Sequence, residues 1–366
     1  MPPNPTPRAM RILIVKRDKL GDLLLTTPVL EHLAAVAPQA EIHLLANDYN
    51  AWVAHGHPAL ARTWTYPRAR AGRRLRLGAL AAQIPLLLRL RRQRYDWALV
   101  MGGDESHRAI WRALAVGARR VVAYVHDPAD YDSRLTDPLA PPLGGHETMR
   151  MLRLLAPLGF DVPPVPPVPR FALPAVSAAF AAQWLAAQGI EAGGYVVLGL
   201  GARRAKKQPS ADQAIRWTQR LHTEFGLPTV LMWTPGAADN PIYPGDDALA
   251  QAVLARAGAH VHPFRGPIAD ALGLIFSART TVMPDSGLMH FAAASPGGVV
   301  GLFADPQDSA PAARWAPLGG RARHIEAARA VADLSDDDIF AVLRPLLAPT
   351  RASDRARDSA PDRCTS

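Results

Sequence analysis

A proline-rich segment in the middle of the chain constrains the fold most. It reads DVPPVPPVPRFALP at residues 161–174 of a 366-residue sequence. Proline fixes φ and lacks an N–H, so such a segment is stiff and extended rather than helical or part of a sheet. A chain of this length also exceeds one ordinary hydrophobic core. We therefore predict two domains, at residues 10–162 and 175–349, joined by a linker at 163–174.

Both halves alternate short apolar runs with segments of helical spacing. In the first half the predicted strands cover 10–17, 41–46, 96–101 and 120–124, and a helix covers 22–36. In the second half the predicted strands cover 195–199, 229–233, 280–283 and 298–303, and helices cover 246–257 and 333–347. This alternation predicts parallel sheets with helices on both faces. The expected fold class is α/β with two Rossmann-like, doubly wound domains, although no sequence repeat relates them.

The composition is that of a globular protein with a basic surface. Hydrophobic residues make up 49% of the chain and charged residues 20%, and the formal net charge is +9. An excess of this sign favours anionic partners, namely nucleic acid, an anionic membrane face or phosphorylated substrates. The single cysteine, Cys364, excludes an intramolecular disulfide and a cysteine-based metal site, which is compatible with the cytoplasm.

The two ends of the sequence carry no recognisable targeting signal. Residues 1–9 lack an apolar signal core and are predicted to be a disordered leader, so Met10 is an alternative start. Residues 350–366 are polar and are predicted to form a disordered tail. No uncharged apolar run reaches about 18 residues, so we expect no transmembrane helix.

The turn after the first predicted strand carries a candidate general base. Gly21 and Asp22 follow Lys16, Arg17, Asp18 and Lys19 at the carboxyl end of that strand, where doubly wound sheets bind ligands. Asp22 there can take a proton from an attacking hydroxyl. The alternatives are a helix cap or an ion-pair partner, and Asp18 competes for the same role. Neither a P-loop nor a dinucleotide-binding glycine fingerprint is present.

Two segments of the second half are suited to bind phosphate. The sequence GLGARRAKKQP at 199–209 follows a strand and carries four cations, which can neutralise a diphosphate. The sequence MPDSGLMH at 283–290 places Asp285, Ser286, Gly287 and Leu288 where a helix is expected to begin, so that backbone N–H groups point at an anion. His290 lies one turn later. The alternatives are a solvated basic loop, a helix cap at Asp285 and a packed core histidine.

Further basic residues are candidates for contacting an acidic acceptor. Arginines cluster at 68–76, where they include Arg73 and Arg74, and again at 89–94. Such clusters contact anionic glycans, membranes or nucleic acid, but no recognition helix or RNA-binding aromatic signature favours nucleic acid. His146 precedes a predicted helix, either as its cap or at a ligand site. The acidic runs at 246–247 and 336–338 match first turns of helices, so we expect no metal site.

Together these motifs resemble glycosyltransferase family nine, the bacterial heptosyltransferases of lipopolysaccharide core assembly. The resemblance extends from about Met10 to Leu347. The segments that carry it are RILIVKRDKLGDLLLTTPVLEHL (11–33), HETMRMLRLLAPLG (146–159), GARRAKKQPSADQ (201–213) and MPDSGLMHFAAASPGGVVGLFADP (283–306). The last segment matches the family pattern most closely: an acid, Ser or Thr, Gly, Leu, any residue and His, then an Ala-rich helix and an apolar strand.

The resemblance implies a GT-B architecture, in which two Rossmann-like domains face a central cleft. The N-terminal domain would bind the acceptor and the C-terminal domain the nucleotide sugar. It also implies an inverting, metal-independent enzyme with no cofactor, which moves heptose from ADP-heptose to a lipopolysaccharide inner-core acceptor. The expected partners are therefore the nucleotide sugar and an anionic lipid-linked glycan, with peripheral contact at the cytoplasmic face of the inner membrane. We expect no nucleic acid, and a monomer is the default expectation. The alternatives are a transferase of the same fold with another nucleotide-sugar donor or a protein acceptor, and a non-catalytic nucleotide-sugar or nucleic-acid binder.

The resemblance also assigns roles to individual residues. Asp22 corresponds to the catalytic base, Lys206 to the diphosphate-binding lysine with Lys207 as the shifted alternative, and Asp285 to an acid that contacts donor hydroxyls. Ser286, Gly287 and Leu288 correspond to phosphate-binding amides, and His290 belongs to the same donor segment. For the acceptor we single out Lys16, Arg73, Arg74 and His146. The family's Trp-Pro after the lysine is Gln208-Pro209 here, and no acid aligns cleanly with the adenosine contact.

Overall fold

The computed structural model describes residues 9–71, 74–240, 244–308 and 311–348. It divides into two compact units, residues 1–170 and 171–366, which we call the N-terminal and C-terminal units. The division falls inside the segment that we interpret as the linker. The predicted tail and all but Ala9 of the predicted leader lie outside the described residues.

The N-terminal unit alternates strands and helices from its first residues. Its strands are β1 (Arg11–Val15), β2 (Glu41–Asn47), β3 (Arg62–Tyr66), β4 (Arg70–Ala71), β5 (Arg74–Leu75), β6 (Trp97–Val100), β7 (Arg120–Tyr124) and β8 (Asp137–Leu139). Its helices are α1 (Leu20–Leu24), α2 (Thr27–Val36), α3 (Leu77–Arg92), α4 (His107–Val116) and α5 (Glu147–Arg153). Short 3₁₀ turns lie at Ala51–Ala54, Pro128–Asp130 and Ala156–Leu158.

The C-terminal unit repeats the alternation. Its strands are β9 (Val196–Gly199), β10 (Thr229–Met232), β11 (Val261–Phe264), β12 (Thr280–Pro284), β13 (Val299–Ala304) and β14 (Ala322–Ala327). Its helices are α6 (Ala175–Gln188), α7 (Ala211–Phe225), α8 (Asp247–Leu254), α9 (Ile268–Ser277), α10 (Gly287–Ala293), α11 (Ala312–Trp315) and α12 (Asp336–Leu347). Turns of 3₁₀ helix lie at Ala205–Lys207 and Val331–Asp333.

Each unit contains a six-stranded sheet with the same connectivity. The strand orders are β3-β2-β1-β6-β7-β8 and β11-β10-β9-β12-β13-β14. All neighbouring strands in both sheets are parallel, whereas β4 and β5 form a separate antiparallel pair. In order of appearance each sheet is therefore 3-2-1-4-5-6, which is the Rossmann strand order. The predicted α/β class with two Rossmann-like, GT-B-type domains is confirmed.

The central strands are apolar because helices cover both faces of a parallel sheet. Residues 12–15 of β1 and all of β9 are buried. Side-chain caps also begin two helices of the C-terminal unit. Ser210 accepts a hydrogen bond from the Gln213 N–H at the start of α7, and Ser335 accepts one from Asp338 at the start of α12. Such caps satisfy backbone donors that a helix leaves unpaired at its first turn.

The single helix predicted over residues 22–36 is wrong, because the chain forms α1 and α2 with a break at Leu25 and Thr26. Pro28 has no N–H to donate to the Leu24 carbonyl. That carbonyl instead accepts a hydrogen bond from the Thr27 hydroxyl at 2.8 Å. The Thr26 hydroxyl in turn donates to the Asp22 carbonyl at 2.9 Å. The break makes Asp22 part of a short, side-chain-tied turn rather than of a long helix.

Candidate active site

In each unit the direction of strand addition reverses beside the first strand. The reversal lies between β1 and β6 in the N-terminal unit and between β9 and β12 in the C-terminal unit. Open α/β sheets bind ligands outside the carboxyl ends of the strands at such a switch point. The segments that follow these four strands are therefore the candidate site.

At the N-terminal switch point a buried lysine lies among carboxylates. The Lys16 side chain is 1% exposed, and its Nζ lies 3.1 Å from Asp18 Oδ2 and 3.7 Å from Met151 Sδ. Burial alone would lower the pKa of Lys16, but Asp18, Asp22 and Glu147 together raise it. We call Lys16, Asp18, Asp22 and Glu147 the base cluster. It holds three carboxylates and one ammonium.

Asp22 occupies the first turn of α1. Its Oδ2 accepts a hydrogen bond from the Lys19 N–H at 3.0 Å, so the cap that we weighed as an alternative is present. Within the described residues Oδ1 makes no hydrogen bond. Burial raises the pKa of Asp22 above its usual value, against the opposing effect of the Lys16 ammonium. A partly buried carboxylate with a raised pKa is a stronger base than a solvated one, which suits general-base chemistry.

Glu147 is a member of this cluster that sequence reasoning did not identify. Its side chain is buried, and its Oε1 accepts a hydrogen bond from the Gly103 N–H at 2.7 Å. Arg150 clamps the same glycine, because its Nη1 donates to the Gly103 carbonyl at 2.7 Å. A Cβ at position 103 would clash with the side chains of Glu147 and Arg150, so any residue larger than glycine would displace them. The paired glycines after β6 were the available signal.

Of the predicted acceptor residues, the structure describes the side chains of Lys16 and His146. Lys16 belongs to it but is buried, so it is placed to act on neighbouring carboxylates. His146 is the N-cap of α5, where its Nδ1 accepts a hydrogen bond from the Thr148 N–H at 3.2 Å. Arg73 lies outside the described residues, and for Arg74 only the backbone, in β5, is described. Contact of these residues with an acceptor stays a prediction.

At the C-terminal switch point two adjacent lysines have different surroundings. Both lie in the basic loop, residues 201–209, which follows β9. Lys206 Nζ lies 2.6 Å from Asp305 Oδ2 and 2.6 Å from Asp308 Oδ2, and its side chain is 24% exposed. Lys207 is buried and pairs with the Asp285 carboxylate. Hydrogen bonds that Lys206 donates to the carboxylates of Asp305 and Asp308 raise its pKa, so it remains a cation at neutral pH.

The Asp285 segment follows β12 and adopts the predicted geometry. Helix α10 begins at Gly287, and Ser286 is its N-cap without a side-chain cap hydrogen bond. The first backbone N–H groups of a helix have no intrahelical partner, which makes them anion donors. The Leu288 amide belongs to the same first turn. His290 is buried one turn later in α10.

Residues after β10 hold the basic loop in place. Gln208, which stands where the family often has Trp, donates to the Leu200 carbonyl at 3.1 Å and to the Asp246 carboxylate. Asp246 Oδ2 also accepts from the Thr234 N–H at 3.0 Å, and Asp247 accepts from the Trp233 indole at 2.7 Å. Asp246 therefore braces the basic loop, whereas Asp247 holds the segment that follows β10. Asp239, which lies between them and β10 in sequence, is exposed.

Asp305 follows β13 in a conformation that is unusual for a residue with a Cβ. Its φ is +50°, in the left-handed region that favours glycine and that Asp tolerates better than most residues. The carboxylate that this backbone presents is the partner of Lys206.

Among the residues that the structure describes, no group of three His, Cys, Asp or Glu side chains is arranged to hold a metal ion. No helix in the described part of the chain is both long and apolar enough to cross a membrane.

Solved structures with this fold include several glycosyltransferases. A glycosyl transferase family 9 structure from Veillonella parvula has a TM-score of 0.75 at 16% identity, covering 92% of this chain and 97% of its own. The E. coli ADP-heptose lps heptosyltransferase II has a TM-score of 0.69 at 20% identity, with coverages of 92% and 98%. The E. coli heptosyltransferase WaaC with ADP has a TM-score of 0.68 at 17% identity, with coverages of 92% and 100%. At these identities the likeness establishes the fold.

The sequence itself establishes the family. No curated protein matches the chain significantly. The family model described as Glycosyltransferase family 9 (heptosyltransferase) matches residues 85–340, which spans both units and more than half of the chain. The chain is therefore a glycosyltransferase and belongs to glycosyltransferase family 9, the heptosyltransferase family.

Proposed function

We propose that this enzyme transfers heptose from ADP-heptose to an inner-core lipopolysaccharide or related glycan acceptor, with inversion at the anomeric carbon and without a metal ion. The observation that carries the proposal is the pair of switch points. One presents a partly buried carboxylate with a raised pKa, and the other presents lysines beside the start of a helix. The first matches a base for an acceptor hydroxyl and the second matches a diphosphate site.

In this mechanism Asp22 removes the proton from the acceptor hydroxyl as its oxygen attacks the anomeric carbon. The bond from that carbon to the diphosphate breaks on the opposite face, and ADP leaves with the electron pair. Negative charge grows on the leaving diphosphate. Lys206 and the N–H groups of Ser286, Gly287 and Leu288 stabilise it, and preorganised charge of this kind lowers barriers by several kcal/mol.

The contacts of the two lysines favour Lys206 as the diphosphate ligand. Its carboxylate partners lie on the exposed loop after β13, so an incoming diphosphate can replace them. Lys207 is buried against Asp285, where it fixes that carboxylate for donor hydroxyls. We further propose that the enzyme works at the cytoplasmic face of the inner membrane, where its lipid-linked acceptor is presented.

The test is a transfer assay with purified protein, ADP-heptose and heptose-deficient core lipopolysaccharide, run with a chelator and with added Mg²⁺. Calorimetric titration with ADP, GDP, UDP and dTDP accompanies it. We expect selective ADP binding, equal transfer in both buffers and inversion of the anomeric configuration in the product. Preference for another nucleotide would contradict the ADP-heptose donor, and transfer that depends on Mg²⁺ would contradict the metal-free mechanism.

A further inference from the structure

Helix α3 exposes many of its apolar side chains. Of its sixteen residues, LGALAAQIPLLLRLRR, only Ala79 and Leu90 are buried. Leu77, Leu80, Ile84 and Leu88 are 72%, 42%, 63% and 49% exposed. Their spacing places them along one side of the helix. A contiguous apolar stripe of this kind marks an interaction surface rather than a solvated helix face.

The positive charge of the chain is concentrated around this helix. Between Asp48 and Asp96 the sequence holds ten arginines and no acidic residue. The whole chain has a formal net charge of +9, so the rest of it is close to neutral. Arg89, Arg91 and Arg92 form the last turn of α3, and neither α3 nor α4 contains an acid.

A cavity of about 720 Å³ opens between α3 and α4. Leu80, Ile84 and Leu87 of α3 line one side, and Trp111 of α4, itself 47% exposed, lies on the other. Arg68 and Arg108 contribute positive charge to the same cavity. Aliphatic walls with a cationic rim match a molecule that has an apolar chain and an anionic head.

We infer that this surface docks the protein on an anionic lipid bilayer. We call it the docking face and define it by Leu77, Leu80, Ile84 and Leu88, with Arg89, Arg92 and Trp111. The apolar stripe inserts at the boundary between the lipid headgroups and the acyl chains, and the arginines bind lipid phosphates. The cavity accommodates part of an acyl chain. Interfacial helices combine these elements, and each basic side chain near an anionic leaflet strengthens binding.

Charge and chemistry favour a lipid bilayer over a second copy of the chain or a nucleic acid as the partner of the docking face. A symmetric dimer through the docking face would set arginines against arginines, because a two-fold interface brings the same patch onto itself. Nucleic acid would be bound by the arginines, but it offers no apolar partner for exposed leucine and isoleucine. A bilayer with anionic headgroups satisfies both the stripe and the charge. The inference deepens the proposed use of a lipid-linked acceptor, and its test does not depend on the donor.

The experiment is cosedimentation of the full-length protein with vesicles of phosphatidylcholine alone or mixed with phosphatidylglycerol, at low and high salt. We expect strong, salt-sensitive binding to the anionic vesicles only. The double variant Ile84→Gln/Leu88→Gln should bind at least about tenfold more weakly. Arg89→Gln/Arg92→Gln should bind about 25-fold more weakly, since each arginine near the surface contributes about a fivefold factor.

Matched controls come from the C-terminal unit. Val176→Gln removes an apolar side chain that is 74% exposed on α6, and Arg329→Gln removes an arginine whose side chain is 89% exposed. Both should bind vesicles like the wild type. Calorimetric ADP binding, measured on every variant, reports donor binding separately. A protein that binds ADP but not anionic vesicles would overturn the docking inference and leave the proposed donor standing.

Three other results would overturn the inference. The first is equal binding to neutral and anionic vesicles. The second is weakening by Val176→Gln as large as that by Ile84→Gln/Leu88→Gln. The third is a combined result. Oligonucleotide binding would be lost in Arg89→Gln/Arg92→Gln but not in Ile84→Gln/Leu88→Gln, and vesicle binding would be unchanged in Ile84→Gln/Leu88→Gln. That result would assign the face to nucleic acid.

Discussion

The two units share a strand order but differ in the chemistry at their switch points. In the N-terminal unit one buried ammonium, Lys16, lies among three carboxylates. Burial, together with this excess of negative groups, raises the pKa of Asp22 and makes it a stronger base. In the C-terminal unit Lys206 and Lys207 lie near the start of α10. Their positive charges and the backbone N–H groups of the helix start favour binding of an anion. In the proposed mechanism one scaffold supplies a base in one copy and a phosphate site in the other, because the loops after its strands, rather than the sheet, determine the chemistry.

The largest expected effect is on the base cluster. Asp22→Asn should lower turnover by about 10²–10⁴-fold, because the variant cannot accept the proton of the acceptor hydroxyl. Nucleotide affinity should stay unchanged, since Asp22 lies in the N-terminal unit. Steady-state kinetics and calorimetry measure the two effects. Full activity in Asp22→Asn would remove this residue from the mechanism.

The Asp22→Asn change should also affect the thermal stability of the protein. Because burial raises the pKa of Asp22, its contribution to folding stability is present below the unfolded pKa of about 4 and is lost as pH rises through the folded pKa. At neutral pH the ionised carboxylate is therefore a cost that asparagine removes. Asp22→Asn should unfold at the same or a higher temperature than the wild type. A large drop in Tm would mean that the capping role dominates.

Removing the buried cation should have the next largest effect. Lys16→Met leaves three carboxylates without their ammonium, so we expect a loss of about 3 kcal/mol of stability. The pKa of Asp22 should rise further, which moves the acidic limb of the pH profile of kcat/KM to higher pH. Lys19→Met, at an exposed lysine of the same turn, is the control. Equal stability and pH profiles for the two variants would contradict the base cluster.

In the C-terminal unit the two lysines should separate by function. Lys206→Ala should weaken ADP binding by about 10- to 100-fold, the range for a lost hydrogen bond to a charged group. Lys207→Ala should affect ADP less and mainly raise the KM for the donor, because it frees Asp285. Calorimetry and kinetics on both variants make the comparison. If only Lys207→Ala weakens ADP, the diphosphate lysine is Lys207.

The smallest expected effect concerns the positive φ at Asp305. Asp305→Gly removes a carboxylate that competes for Lys206 and relieves the backbone, so ADP should bind a few-fold more tightly. Asp305→Ala should change ADP affinity equally but be about 1 kcal/mol less stable than Asp305→Gly, because it keeps a Cβ in this region. Thermal unfolding and calorimetry test the pair. Weaker ADP binding in both variants would assign Asp305 to the donor site.

The sequence predicted the central strands of both sheets and missed all four edge strands. The central strands are apolar on both faces and stand out as short hydrophobic runs, as in β1 and β9. The edge strands β3 (RTWTY), β8 (DPL), β11 (VHPF) and β14 (ARHIEA) are partly exposed and mix polar with apolar residues. The neighbouring strand determines whether such a segment joins the sheet, so the local sequence does not predict an edge strand.

The candidate site divides in a similar way. Asp22, Lys206 and Asp285 lie in the segments that follow strands, so topology alone predicts their position near a switch point. Glu147 is held in the base cluster by a hydrogen bond from the Gly103 N–H, 44 residues away in sequence. The pairing of Lys206 with Asp305 spans 99 residues. Such contacts depend on how the loops pack and are not encoded in a local pattern.

The most direct test of the contrast between the units is hydrogen–deuterium exchange of the full-length protein with and without ADP. We predict that ADP slows exchange in the basic loop at 201–209 and at 285–290, and leaves residues 16–22 unchanged. Protection at 16–22 without protection in the C-terminal segments would place the nucleotide in the N-terminal unit and contradict the account.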